Sequence, residues 1–469
     1  ECCRLVQSSG RKMMLELDIR NEYAGFIKEF PKDCIYAFSY EETSLNDQGE
    51  AVIEVENQMA YHYFEPSGFR GIERILGSWC FETSGGEIIP ASRENVLPLT
   101  SFEVGDETTK ITIKAGRGNA HKQVLVLPAF RQAIPDLFSP NLYVFYQELF
   151  DELAHIPLNG VGVDEWGVDV MIKLSDGEVV NDHLTYSDSF AAKYHHLTGR
   201  SLQDDLILGK YFIQGDQTKS YEFVNDYSQV MRNTMVENET WFYNKGKEVY
   251  GPDAFIGAHP TWWGSASKLY LEVLKNGLDW WEVPRDYAQT DEVIIYPIRF
   301  ALARKWGGSV WYNMWYSLGT RRLETYFSES WRNIRYGGRT HYHGYECPNE
   351  DVVLPLNGEG MLEQIEETEE GIRRIRAFQK STPDSRILVV FGMEAVSNWM
   401  LNQPGAVRWT CSSPRLDRVL EMTQAIFEAG YLCDLVPSSE IANGSVRLED
   451  GKLRYGSHHD YDALIFLFP

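Results

Sequence analysis

At 469 residues the chain is long enough for two or three domains with a sizeable core, and its 43% hydrophobic and 24% charged residues, with no run of eighteen apolar positions, predict a globular protein outside the membrane. A formal net charge of −24 sets a repulsive field against nucleic acid, anionic membrane surfaces and polyanionic substrates, and leaves a neutral small molecule or neutral polymer as the partner to expect. Aromatic residues reach 13%, with 13 Trp and 26 Tyr, many just after apolar runs rather than inside them, a placement that suits carbohydrate binding as well as core packing.

The stretch KMMLELDIR (residues 12–20) reads as a strand ending in Asp18 and Arg20, and the amphipathic residues 21–30 complete a βα unit. From about 49 to 128 the pattern turns to period two, in GEAVIEVENQMAYHY, FRGIERILGSWCFET, TSFEVGDETTKITIKAG and KQVLVLPAF, which predicts a small antiparallel β insertion. A helical pattern over 141–154 then feeds an apolar run that ends abruptly in VGVDEWG (161–167). Buried parallel strands leave a sheet in this way, and α/β enzymes keep their chemistry at that end. Glu165 beside Trp166 has the ingredients of a general acid set against a sugar-stacking wall; the competing reading has Asp164 capping the next turn and Glu165 solvated.

Helices are expected over 190–197 and 221–250, followed by the strand AFIGAHPTWWG (254–264) with His259, Trp262 and Trp263 at its end. A helix over 265–275 leads to GLDWWEVPRD (277–286), read as a strand ending in Trp281, Glu282, Arg285 and Asp286. The helix over 297–306 precedes SVWYNMWYS (309–317), which holds Tyr312, Asn313 and Trp315, and the helix over 320–336 precedes RTHYHGYE (339–346), which holds Arg339, His341 and His343. These six βα-like units over 1–350 predict a (β/α)8 TIM barrel lacking its first two strands. An open doubly wound sheet is the alternative, although no glycine-rich phosphate loop follows any strand. An acidic linker helix is expected within 351–382, and 383–469 starts a flavodoxin-like α/β domain with RILVVFGME, a helix over 416–429, YLCDLVP and DALIFLFP.

Seven cysteines, Cys2, Cys3, Cys34, Cys80, Cys347, Cys411 and Cys433, are scattered and odd in number, so neither a disulfide framework nor a CxxC metal pair is visible, and no cofactor motif is present. No signal peptide precedes Cys2 and Cys3, and the chain stops inside an apolar run. Both ends read as cuts in a longer chain, with a cytoplasmic location as the expectation.

Glycosidic hydrolysis needs two carboxyl groups flanking one bond. Glu165 is the candidate acid because the Trp166 indole would desolvate it, and Glu282 is the candidate partner because Arg285 would hold it ionised; Asp286, Asp291 and Glu292 are rivals, and a structural Glu282–Arg285 ion pair is the competing reading. Asp18, Arg20, Asp164, Trp166, His259, Trp262, Trp263, Trp281, Arg285, Asp286, Tyr312, Asn313, Trp315 and His343 are the candidate substrate contacts, with Arg339 as a further hydrogen-bonding residue. Two other classes stay open. One is a catalytically inactive carbohydrate-binding barrel, and the other a metal-dependent hydrolase or lyase using His259, Asp164, Glu165 and His341 or His343, for which no HExxH spacing exists.

The order DEWG, HPTWWG, WWEVPRD, WYNMWYS, THYHGYE, then a long helix and ILVVFGMEAVSNW, resembles the retaining β-galactosidases of glycoside hydrolase family 42 and their relatives, in architecture over about 12–469. The resemblance implies a (β/α)8 barrel joined to a trimerisation domain, a neutral galactoside-like substrate and a homotrimer. It places Glu165 at the acid/base position of the fourth strand, where the family has Asn-Glu and this chain has Asp164-Glu165. The family's nucleophile is a Glu ending the seventh strand, whereas SVWYNMWYS holds no carboxylate. The chain is therefore read as a divergent relative with a displaced partner, for which Glu282 is the choice.

Overall fold

The computed structural model describes residues 2–17, 23–62, 65–164, 172–173, 179–180, 184–259, 281–284, 286–291, 296–306, 311–315, 331, 339–342, 361–376, 384–392, 414–456 and 459–467. The fold is mixed α/β. Its organising feature is a six-stranded sheet of β1 (Met14–Glu16), β2 (Gly160–Asp164), β3 (Phe255–His259), β4 (Tyr287–Asp291), β5 (Trp311–Trp315) and β6 (Arg339–Tyr342), arranged in chain order and parallel throughout. An order without reversal is single winding, unlike the doubly wound alternative, whose strand order turns back on itself. Among the described residues β1 and β6 are the edges of this sheet.

Parallel neighbours need crossovers, and helices supply them. Helix α1 (Asn141–Leu153) runs into β2, α2 (Asp188–Thr198) and α3 (Thr218–Tyr250) join β2 to β3, and α4 (Tyr296–Trp306) joins β4 to β5. The period that predicts α1 is the one it buries, through Leu142, Phe145, Tyr146 and Phe150. Gly246 of α3 is a point of close approach: a Cβ there would lie 2.6 Å from Ile256 Cδ1 and 3.3 Å from Val161 Cγ2, so the helix lies across β2 and β3. The helices expected over 265–275 and 320–336 fall outside the described residues, apart from Trp331.

One strand is not where its sequence pattern places it. The run GLDWWEVPRD is not β4; residues 281–284 form a turn, and the strand is the polar Tyr287–Asp291 that follows. Pro284 accounts for this, since it lacks an N–H for the ladder and restricts the residue before it. The apolar side chains are buried all the same, Trp281 and Val283 as parts of a packed turn, with the Trp281 ring 6.1 Å from that of Phe391.

The antiparallel insertion is larger than 49–128. Its main sheet runs in the order Glu94–Asn95, Arg74–Phe81, Gln123–Pro135, Cys34–Phe38, Leu184–Tyr186, with Glu41–Ser44 also on the long strand. A three-stranded sheet of Thr100–Val104, Thr108–Lys114 and Glu50–Glu56 covers one face. The 13-residue strand Gln123–Pro135 is buried on both sides. Val124, Val126 and Phe130 meet Ile111 and Ile113 of the smaller sheet, whereas Leu125, Leu127 and Ala129 join the core that runs through α1, α3, β2 and β3. Burial on both faces explains its continuous apolar run.

Beyond α5 (Met361–Arg376), strands β7 (Ile387–Phe391), β8 (Cys433–Pro437) and β9 (Ala463–Leu467) form a parallel sheet in the order β8-β7-β9, with α6 (Pro414–Glu428) joining the first two. This is how a flavodoxin-like sheet begins. An unexpected antiparallel meander, Val446–Glu449, Lys452–Tyr455 and His459–Tyr461, precedes β9. The unit is docked on the other half through α4, whose Ala301 shares a core with Leu388, Val390, Val436, Tyr455 and Tyr461. At the end of the same helix Arg304 pairs with Asp434, and Lys305 pairs with Glu440 at 2.7 Å; both carboxylates are fully buried. Tyr461 and Tyr455 donate to the same two carboxylates. No described helix is long and apolar enough to cross a membrane.

Candidate functional site

The last residues of β2 to β6 are Asp164, His259, Asp291, Trp315 and Tyr342, and these define the carboxyl edge of the sheet. Asp164 lies opposite His259. Ala258 lies opposite Ala288, which brings Gln289 level with His259, and Gln289 is followed across the sheet by Tyr312 and Arg339. Asp164, His259, Gln289, Tyr312 and Arg339 thus share one row across five strands. One step nearer the edge stand Thr290, Asn313 and Thr340; one step further stand Asp291, Met314 and His341. Of the residues expected from the sequence, Asp164, His259, Tyr312, Asn313, Trp315, Arg339 and His341 are gathered here, together with the rival carboxylate Asp291. Gln289 was not anticipated. Its signal is the polarity of YAQTD, unusual in a strand with parallel neighbours on both sides.

Asp18, Arg20, Glu165, Trp166, Trp262, Trp263, Arg285, Glu292 and His343 lie outside the described residues, Glu165 being the residue after Asp164. Trp281, Glu282 and Asp286, expected at the end of a strand, instead precede the strand Tyr287–Asp291. Glu282 faces Arg232 of α3, its carboxylate 3.7 Å from Nε. Asp286 stands at the amino end of β4, where its carboxylate accepts from Lys247 Nζ at 2.6 Å and from the Ile256 N–H at 2.8 Å. Lys247 also donates to the Ala254 carbonyl at 2.6 Å, so the pair fastens the start of β3 to the start of β4. Trp281 is part of the core.

The connection leaving β1 at the carboxyl edge carries the whole insertion before α1 brings the chain back to β2. The connection leaving β2 then adds to it. Ile172–Lys173 and Val179–Val180 form a hairpin that pairs with Gln58–His62, and Leu184–Tyr186 pairs with Cys34–Phe38. Two successive connections therefore fold together on the carboxyl side of β1 and β2.

Polar groups fasten this joint, some of them buried and some at the surface. Asp136, between the long strand and α1, is 2% exposed and accepts from the Ser187 hydroxyl at 2.9 Å and the Phe138 N–H at 3.0 Å. Burial pushes its carboxyl up to about 6 despite these bonds. The Arg74 guanidinium lies 4.1 Å from the Tyr36 ring centroid and 4.8 Å from that of Tyr186, and donates to Asp188 at 3.0 Å. Burial pushes the Tyr186 phenol up to about 12. Among the described residues no group of three or more His, Cys, Asp or Glu is arranged to hold a metal ion.

No protein-family model matches the chain, and no curated protein is similar to it in sequence. Among solved structures, that of a rhamnosidase from Novosphingobium sp. PP1Y is similar at 9% identity and a TM-score of 0.45, over 81% of this chain and 37% of that one. The chain spans little more than a third of that protein's length, and a likeness so slight carries neither fold nor activity across.

Proposed function

We propose that the protein is a glycoside hydrolase that cleaves a neutral glycoside with two carboxyl groups, Glu165 as proton donor and Asp291 as partner, at the carboxyl edge of a parallel sheet that closes into a (β/α)8 barrel. The observation that carries the reading is the position of Asp164, immediately before Glu165, and of Asp291 as the last residues of β2 and β4, with β3 between them. Adjacent strands are about 4.8 Å apart, so the two backbones stand about 10 Å apart, a span from which two carboxyl groups can reach opposite sides of one glycosidic bond. Glu282, facing Arg232 ahead of β4, gives way to Asp291. The row of His259, Gln289, Tyr312 and Arg339 supplies the hydrogen-bonding groups that sugar hydroxyls require, and a net charge of −24 favours an uncharged substrate. Strand order equal to chain order is what a barrel produces.

A panel of 4-nitrophenyl glycosides, beginning with the β-galactoside that the resemblance to family 42 points to, tests the reading. Glu165→Gln is expected to lower turnover of a disaccharide about a thousandfold and that of the activated aryl glycoside much less, because a good leaving group needs little protonation. Asp291→Ala is expected to depress both alike, and azide restores part of its activity if the reaction is retaining. A Glu165→Gln variant indifferent on every glycoside turned over sinks the proposal. Sugar binding without any turnover favours a carbohydrate-binding protein instead.

A further inference from the structure

We infer that the hairpin of Gln58–His62 and Glu65–Arg70 in the β insertion walls the leaving-group side of the site, and so selects what the sugar is attached to rather than the sugar itself; this rests on the glycosidase reading. Four strands form one antiparallel sheet in the order Val179–Val180, Ile172–Lys173, Gln58–His62, Glu65–Arg70. Half of that sheet belongs to the insertion. The other half belongs to the connection that leaves β2 at Asp164 and continues through Glu165, and Lys173 lies opposite Met59 where the halves meet.

A glycosidase's proton donor stands on the leaving-group side, because the glycosidic oxygen that takes its proton departs with that group. A hairpin paired at Met59 with Lys173, on the connection that leaves β2 after Asp164, belongs by this inference to the departing group's side. The return limb of that connection is also held to the insertion, by pairing of Leu184–Tyr186 with Cys34–Phe38 and by the Ser187–Asp136 hydrogen bond. The insertion is therefore tied to the connection that leaves β2 at two places, Lys173 and Leu184–Ser187. Its sequence, QMAYHYFEPSGFR, is rich in the aromatic residues that stack on sugar rings and aryl groups.

Tyr61 and His62 close the strand Gln58–His62, next to the turn of the hairpin, and both are tested. The test compares kcat/KM for a disaccharide and a 4-nitrophenyl glycoside of the same sugar, and for two sugars carrying the same nitrophenyl group. Either Tyr61→Ala or His62→Ala is expected to shift the first ratio about tenfold or more while leaving the second within about twofold. Tyr61→Phe, which keeps the ring, retains the wild-type ratios. Hydrogen exchange on the unaltered protein is a parallel measurement: a non-reacting oligosaccharide analogue is expected to protect residues 58–70, and the free monosaccharide is not. Leaving-group ratios that stay constant in both alanine variants, sugar ratios that move as much, or equal protection by both ligands overturn this inference alone. If no glycoside is turned over by the wild-type protein, the proposed function falls and takes this inference with it.

Discussion

Asp136→Asn isolates the energetic consequence of burying a carboxyl at the junction between the insertion and α1. In the folded protein this group has its pKa moved from 3.8 to about 6, chiefly by desolvation, so the folded state holds the proton more tightly than the unfolded chain does. Stability from this source is full below about pH 4, falls as the pH rises through 4 to 6, and above that leaves a penalty of about 3 kcal/mol. Asparagine has the same shape, its Oδ1 can accept the Phe138 N–H and Ser187 hydroxyl bonds that Asp136 Oδ1 accepts, and the Ser189 hydroxyl, which also bonds the carboxylate, can turn to accept from the amide. The variant is therefore expected to gain stability relative to wild type as the medium becomes less acidic, by about 1.4 kcal/mol between pH 5 and pH 7.5 on the same linkage. Urea unfolding followed by tryptophan fluorescence at the two pH values reads the difference. A gap between variant and wild type that is flat with pH, or that widens toward acid, refutes the reasoning.

Arg304→Met leaves the fully buried Asp434 without its cation and is expected to lower unfolding stability by about 3–5 kcal/mol, whereas the double variant Arg304→Met/Asp434→Leu recovers most of that; equal loss in both, by thermal or urea unfolding, counts against an unpaired charge as the cause. Glu282→Gln should keep near-normal glycoside turnover under conditions where Asp291→Ala loses about a thousandfold, and the reverse ranking of kcat would return the partner role to Glu282. Lys247→Met frees the partly exposed Asp286 and should cost about 1–3 kcal/mol in a urea titration while leaving the sugar preference unchanged. The trimer implied by the family resemblance predicts a light-scattering mass three times the 53.9 kDa of the chain, and a monomer at micromolar concentration contradicts it.

Local pattern alone expected crossover helices over 141–154, 221–250 and 297–306, which stand at Asn141–Leu153, Thr218–Tyr250 and Tyr296–Trp306, and apolar runs over 161–167, 254–264, 309–317 and 339–346 that contain all or most of the strands Gly160–Asp164, Phe255–His259, Trp311–Trp315 and Arg339–Tyr342, because periodicity and apolar runs are properties of the nearest few residues. It misplaced β4. Burial of WWEV is real, yet an apolar run is buried equally well as a strand or as a packed turn, and only Pro284 argued locally for the turn. The role of Asp286 was beyond local reading, since Lys247, its partner, lies 39 residues away and meets it only when β3 and β4 lie side by side. Leu184–Tyr186 is too short to show a period, and becomes a strand because Cys34–Phe38 offers it an edge. Helix α4 announced itself as a helix, but not that Ala301 and Arg304 serve a second core belonging to residues more than 80 positions later. Sequence by itself determined which residues must be covered, through hydrophobicity and spacing; which surface covers them, and which carboxylates reach the sheet's carboxyl edge, was decided by long-range packing.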